Sequence, residues 1–109
     1  MSSEVRLRNI HPGEVLLEEF MKPLGLTAYR VAKSVGVSQT QVGEIIRGKR
    51  SIPAATALRF AALFGTSAQF WLNMQAHYDL ETVREQIAEQ IAQIRPMTPI
   101  RYETELISA

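Results

Sequence analysis

The side chains best placed for chemistry in this sequence are hydrogen-bonding groups at the start of one short helix. Gln39 and Thr40 stand side by side, and Arg47 lies two turns further on. An amide and a hydroxyl offer donors and acceptors that match base edges in the DNA major groove, and a guanidinium reaches phosphate or guanine. The chemistry these residues imply is recognition and not bond making. There is no Gly-rich phosphate loop, no His-Glu metal motif and no cysteine nucleophile. The Asp and Glu side chains fall on helix faces and form no paired constellation, so no catalytic residue and no metal site is assigned.

The helix that must carry Gln39 and Thr40 is marked at both ends. Ser38 is a good N-cap, and Gln41 stands three residues later, where a capping-box partner belongs. Gly48 follows as a residue able to take the left-handed conformation beyond the last turn. Val42, Ile45 and Ile46 recur at i, i+3 and i+4 and should share one buried face. Gln39, Thr40, Gly43, Glu44 and Arg47 then point outward. By itself this segment reads equally well as a capped surface helix.

Its neighbour changes that balance. Thr27 caps a second short helix, Ala28–Val35, with Val31, Ala32 and Val35 facing a core and Gly36 ending it. Two short helices joined by a tight Gly-containing turn make a helix-turn-helix. Charge follows the same boundary. Residues 27–59 hold six basic side chains (Arg30, Lys33, Arg47, Lys49, Arg50 and Arg59) and one acid, Glu44, a balance of +5. The remainder holds six basic and ten acidic residues, a balance of −4, although the whole chain is only +1. A basic segment coinciding with a helix-turn-helix is the footprint of phosphate binding.

The rest of the chain supplies a core and a second apolar surface. With 109 residues and 46% hydrophobic side chains, one packed domain is expected. Without cysteine there is neither a disulfide framework nor a thiolate metal site. The N-terminus lacks an apolar signal region, and no run approaches membrane-spanning length, so a cytoplasmic protein without membrane contact is expected. Residues 4–8 alternate polar and apolar and fit a short strand or a leading arm. His11 precedes Pro12 with no second ligand at metal spacing, which favours a loop or cap role. Pro12 suits the first helical position, and Val15, Leu16 and Phe20 give that helix a core face. It is expected to end before Pro23. Glu14, Glu18 and Glu19 make its outer surface acidic.

A fourth helix opens at Ile52 and Pro53 and runs to Phe64, with Ala57, Leu58, Ala61, Ala62 and Phe64 as its apolar face. A fifth, capped by Ser67, runs from Ala68 to about Ala76. Its Phe70, Trp71 and Met74 read as core and not as a stacking platform for single strands. Leu80, Val83, Ile87, Ile91 and Ile94 then recur at three- and four-residue steps through 81–95, an amphipathic helix of about four turns. Five helices already close a core, so this stripe packs back on it or pairs with a second copy. Val83, Ile87, Ile91 and Ile94 are the expected dimer contacts. Pro96 ends the helix, and the alternation of Ile100, Tyr102, Thr104 and Leu106 fits a strand or a loose tail.

Six short motifs occur in order across residues 11–80, about two thirds of the chain. They are His11-Pro12-Gly13-Glu14, Leu24-Gly25-Leu26, Arg47-Gly48-Lys49-Arg50, Thr56-Ala57-Leu58-Arg59, Phe70-Trp71-Leu72-Asn73 and Tyr78-Asp79-Leu80. This pattern resembles the HigA/VapI family of type II antitoxins, within the lambda-repressor-like (XRE) helix-turn-helix class. The resemblance implies an all-α fold: a five-helix DNA-binding domain over 11–80, preceded by an arm at 1–10. A dimerisation helix at 81–95 and a tail at 96–109 complete the expected organisation. It implies base-reading positions at Gln39, Thr40 and Glu44. It places Thr27 and the first N–H groups of the second helix on a phosphate, flanked by Arg30 and Lys33. Ser38, Gln41, Arg47, Lys49 and Arg50 complete the phosphate-binding set.

Two residues depart from the family pattern. Glu44 stands where Gln is common; it can accept from cytosine N4 or hold Arg30 or Arg47 in position. Pro53 stands where a hydroxyl cap is usual. The family's function would be binding of a palindromic double-stranded operator as a homodimer, with neutralisation of a HigB-like messenger-RNA-cleaving toxin. Glu14, Glu18 and Glu19 are the surface a basic toxin would seek. A stand-alone repressor, or an interaction module that has lost DNA binding, are the alternatives; the +5 segment counts against the latter. No cofactor is implied.

Overall fold

Pro12, with φ preset for a helix and no N–H to satisfy, opens the first helix, α1, behind His11 as N-cap. The computed structural model describes residues 8–97, and among these every regular element is helical. α1 consists of three continuous segments: α-helical Pro12–Val15, π-helical Leu16–Met21 and α-helical Lys22–Leu24. It therefore does not end before Pro23, as its sequence suggests. Proline lacks an N–H and its ring crowds the carbonyl four residues back. The wider π turn accommodates this, with the Lys22 N–H bonded to the Leu17 carbonyl five residues back. Gly25, at φ +67°, stops the helix, and the Leu26 N–H closes onto the Met21 carbonyl.

The helix-turn-helix follows as α2, Ala28–Val35, and α3, Gln39–Ile46. Gly36 leaves α2 at φ +80°, a conformation costly to any residue with a Cβ. α4 spans Ala54–Phe64 and has no side-chain cap, since Pro53 occupies the N-cap position. α5, Ala68–Gln86, is a single helix of 19 residues, and α6 is Ala88–Ala92.

The break expected between Ala76 and Glu81 is thus absent. No Gly or Pro interrupts residues 77–80, and Gln75 reaches Asp79 one turn on, at 2.9 Å. The helix breaks instead at Ile87, where φ is −118° and ψ 20°. The apolar stripe from Leu80 to Ile94 is consequently divided between two helices, with Ile87 at the break and Ile94 beyond the end of α6, which stops at Ala92 and not at the expected Arg95. The expected strand-like segments at 4–8 and 100–106 and the tail at 96–109 fall outside the described residues, apart from Arg8, Pro96 and Met97.

Leu16, Met21, Val31, Ala32, Val35, Val42, Ile45, Ile52, Ala57, Phe60 and Trp71 form the buried core. Trp71 stands at its centre, its ring 5.2 Å from Phe20 and 5.3 Å from Phe60, and its indole N–H donates to Thr66 at 2.8 Å. That hydrogen bond lets an indole be fully buried without an unsatisfied donor. The buried face of α4 differs from the expected one. Thr56, Ala57 and Phe60 face inward, whereas Leu58 is 63% exposed and Ala62 is exposed. Thr56 tolerates burial because its hydroxyl accepts from the Gln41 side-chain amide of α3 at 3.0 Å. Gln41 is therefore not a capping-box partner; its side chain ties α3 to α4.

Candidate nucleic-acid interface

The reading helix is held from below by Val42 and Ile45, both fully buried. The Ser38 hydroxyl accepts the Gln41 N–H at 3.0 Å, which caps the first turn. Gln39 and Thr40 then emerge exposed at the N-terminal end of α3. Thr27 caps α2 in the same way, accepting from the Arg30 N–H at 3.1 Å. Arg30 and Lys33 are exposed on α2, Lys33 with its ammonium 5.9 Å from the Tyr29 ring centroid.

Beyond α3 the chain makes a Schellman turn. Gly48, at φ +76°, donates to the Ile45 carbonyl at 3.0 Å, and the Lys49 N–H reaches the Glu44 carbonyl at 2.8 Å. Lys49, Arg50 and Ser51 project from this turn and are exposed. Arg50 folds back onto Glu44, with Nε 2.7 Å and Nη2 2.6 Å from Oε1. The sequence suggested Arg30 or Arg47 as partners of this carboxylate. Arg47 instead lies along its own helix, over Gly43, where a Cβ would stand 3.2 Å from its Nη1.

Three supporting residues are missed by sequence reasoning. Gly13 crosses α3 so closely that a Cβ there would lie 1.7 Å from the Ile45 carbonyl oxygen. Gln75 on α5 accepts the buried Ile52 N–H at 2.9 Å, behind the basic turn. Arg59, to which sequence reasoning gave no contact, stays exposed but donates to the Val35 carbonyl at the end of α2. Gly13 and Arg59 lie in two of the six short motifs, whereas Gln75 carries no local signal.

His11 has the capping role expected of it. Its Nδ1 accepts the Gly13 N–H at 2.8 Å, and its ring meets Tyr78 edge-on at 4.8 Å. Burial lowers its pKa, against the opposing influence of Asp79 and of a hydrogen bond to the Arg50 backbone. The acidic face of α1 is partly neutralised. Arg8 engages Glu14 and holds its carboxyl below the usual range, and Lys22 lies 3.0 Å from Glu18. Glu19 is exposed. Leu80 and Val83 on α5, Ile91 on α6 and Ile94 just beyond it are exposed, and Ile87 at the break is half-buried. No cluster of His, Cys, Asp or Glu able to hold a metal occurs among the described residues, and none of their helices is long and apolar enough to cross a membrane.

A capped, outward-facing helix behind a second short helix, with three more helices closing the core, defines an XRE-type helix-turn-helix protein. The helix-turn-helix family profile matches residues 17–71. The chain is 47% identical over 97 residues to virulence-associated protein I of Dichelobacter nodosus, covering 89% of each. It is 32% identical over 94 residues to antitoxin HigA-1 of Vibrio cholerae, covering 86% of this chain and 89% of that one. The Pseudomonas aeruginosa antitoxin HigA, solved with the higBA promoter, superposes with a TM-score of 0.80 at 39% identity, over 84% of this chain and all of that one. The chain belongs to the HigA/VapI family of helix-turn-helix antitoxins, which are regulators and not enzymes.

Proposed function

We propose that this chain is the antitoxin of a type II toxin–antitoxin pair, which binds a palindromic operator as a homodimer and represses its own operon. The observation that carries the DNA reading is the pairing of exposed Gln39 and Thr40 at the start of α3 with exposed Lys49 and Arg50 just beyond its end. The first pair reads base edges and the second grips phosphate, so register and sequence are set by different residues. Thr27, Arg30, Lys33, Ser38 and Arg47 extend the phosphate contacts. The Gln41 side-chain amide is engaged by Thr56 and its backbone N–H by the Ser38 hydroxyl, so Gln41 serves to hold α3 in place and not to contact phosphate. That a P. aeruginosa relative of the same fold was solved with promoter DNA supports this reading.

Dimerisation uses the exposed stripe of Val83, Ile91 and Ile94, with Ile87 at the helix break. A two-fold dimer places its reading helices on half-sites about one helical turn apart, roughly 34–36 Å centre to centre. The toxin is a HigB-like messenger-RNA-cleaving enzyme, and Glu14, Glu18 and Glu19 of α1 form its docking surface. Glu19 is central to that surface, because its two neighbours already have cationic partners.

Two measurements test the proposal. Gel-shift titration with the DNA upstream of the gene should show saturable binding that survives excess scrambled duplex. Co-expression with each adjacent reading frame should yield a stable complex with a small basic RNase, and the Glu14→Lys, Glu18→Lys, Glu19→Lys variant should weaken it while sparing DNA binding. Binding to the upstream DNA with no partner among adjacent products would instead establish a stand-alone repressor.

A further inference from the structure

The basic turn between α3 and α4 belongs to no regular element, yet two fixed points hold its backbone. Gly48 rests on the His11 ring, with a Cβ there 3.7 Å from Cγ. The Ile52 N–H is buried and donates to Gln75 Oε1 at 2.9 Å. The supports are themselves joined. Gln75 donates to Asp79 Oδ1 at 2.9 Å, and the neighbouring Tyr78 packs edge-on against the His11 imidazole at 4.8 Å. Gln75 is 94% buried, counting from its 6% exposure, and both ends of its amide are used. Backbone groups in an irregular turn must find partners somewhere, and here the Ile52 N–H finds one on the Gln75 side chain of α5.

We infer that His11, Gln75 and Asp79 are positioning residues for DNA binding, which hold Lys49 and Arg50 at the height and angle where they meet phosphate without touching DNA themselves. The inference rests on the proposal that this turn grips phosphate, and it adds the residues that set the geometry of that grip. The frame also links the turn to α5. Tyr78 lies on that helix, and its carbonyl accepts from the side chain of Asn9 at 3.1 Å, so the segment leading into α1 is anchored at the same place.

The test is a salt titration of the full chain on operator and scrambled duplexes, with folding checked by circular dichroism. His11→Asn keeps an acceptor for the Gly13 N–H, because Asn is a good N-cap, and removes the ring on which Gly48 and Tyr78 pack. It should weaken binding to both duplexes alike and flatten the slope of log K against log salt by up to about one unit per subunit. Asp79→Ala should do the same, and Asp79→Asn, which keeps an acceptor for Gln75, should restore the wild-type slope. A purely structural role would lower the melting temperature and leave the slope of the folded protein unchanged. That outcome in both His11→Asn and Asp79→Ala would overturn the inference. Lys49→Ala separates the two levels: if it too leaves the slope unchanged, the phosphate role of the turn is wrong; if it flattens the slope while His11→Asn does not, only the positioning role is wrong.

Discussion

Arg50 closes on a single oxygen of Glu44, with Nε at 2.7 Å and Nη2 at 2.6 Å. One partner sits on the outward face of α3 and the other in the turn beyond it. The pair is half exposed, so it contributes only about 0.2–1 kcal/mol to stability. Under the proposed function its larger effect would be on DNA binding, because one negative charge is held against a cation proposed to grip phosphate.

Glu44→Gln should therefore strengthen binding to operator and scrambled DNA together. The salt slope should steepen by up to about one unit per subunit, as one counter-charge is removed. A salt titration on both duplexes checks this. A loss of affinity confined to the operator would instead show Glu44 accepting from a cytosine N4.

Gln39 and Lys49 should separate cleanly in the same assay. Lys49→Ala should lower affinity on every sequence and flatten the slope by about one unit per subunit. Gln39→Ala should keep the slope and cost about 1–3 kcal/mol on the operator alone. Equal losses on operator and random DNA for Gln39→Ala would mean that α3 does not read sequence through that residue.

The exposed stripe predicts a dimer. Burying Val83, Ile91 and Ile94 against a second copy should contribute several kcal/mol, at about 25 cal/mol per Å² of apolar area. Val83→Asp with Ile91→Asp should give a folded monomer with much weaker operator binding, since both positions are exposed in the single chain. Sedimentation equilibrium decides the point, and a wild-type protein monomeric at tens of micromolar would exclude this surface.

Gly13→Ala should destabilise the fold, because its Cβ would overlap the Ile45 carbonyl, a backbone atom that cannot swing aside. A cost of at least about 1–3 kcal/mol is expected from overpacking. Thermal or urea unfolding measures it. Gly25→Ala is the contrasting case: a Cβ there meets nothing within 4 Å, and the strain is only that of φ +67°.

The pH dependence follows from His11, whose pKa is lowered by burial. The unfolded chain binds the proton more readily than the folded one, so stability rises with pH across this window. The contribution is complete above the unfolded value of about 6.5 and is lost as pH falls through the lower folded value. Melting temperature should drop from pH 7.5 to pH 5, and the drop should be smaller in His11→Asn. Equal drops in the two proteins would assign the dependence to other groups.

Helix boundaries were largely legible in the sequence because caps and stops are local. Thr27, Ser38 and Ser67 each accept a backbone N–H three residues on, and Gly36, Gly48 and Gly65 take positive φ just past the helices they end. The π turn that carries α1 through Pro23 was not legible, because it depends on hydrogen bonds redistributed over several residues. Nor was the continuity of α5, since no residue type at 77–80 either breaks or demands a helix.

Hydrophobic periodicity by itself placed Val31, Val35, Val42 and Ile45 in the core, where short amphipathic helices have one apolar face. It misjudged α4, where apolar residues occur all around the helix and only packing against Trp71 chooses Phe60 over Leu58. Tertiary structure also decided which polar groups serve the candidate site. Gln75 reaches Ile52 across 23 residues, and Arg59 reaches Val35 across 24. Residue types and spacing determine where a chain can turn and which face is apolar. Which distant donor meets which carbonyl is settled only when the helices close, because those partners share no local pattern and are brought together by burial of the core between them.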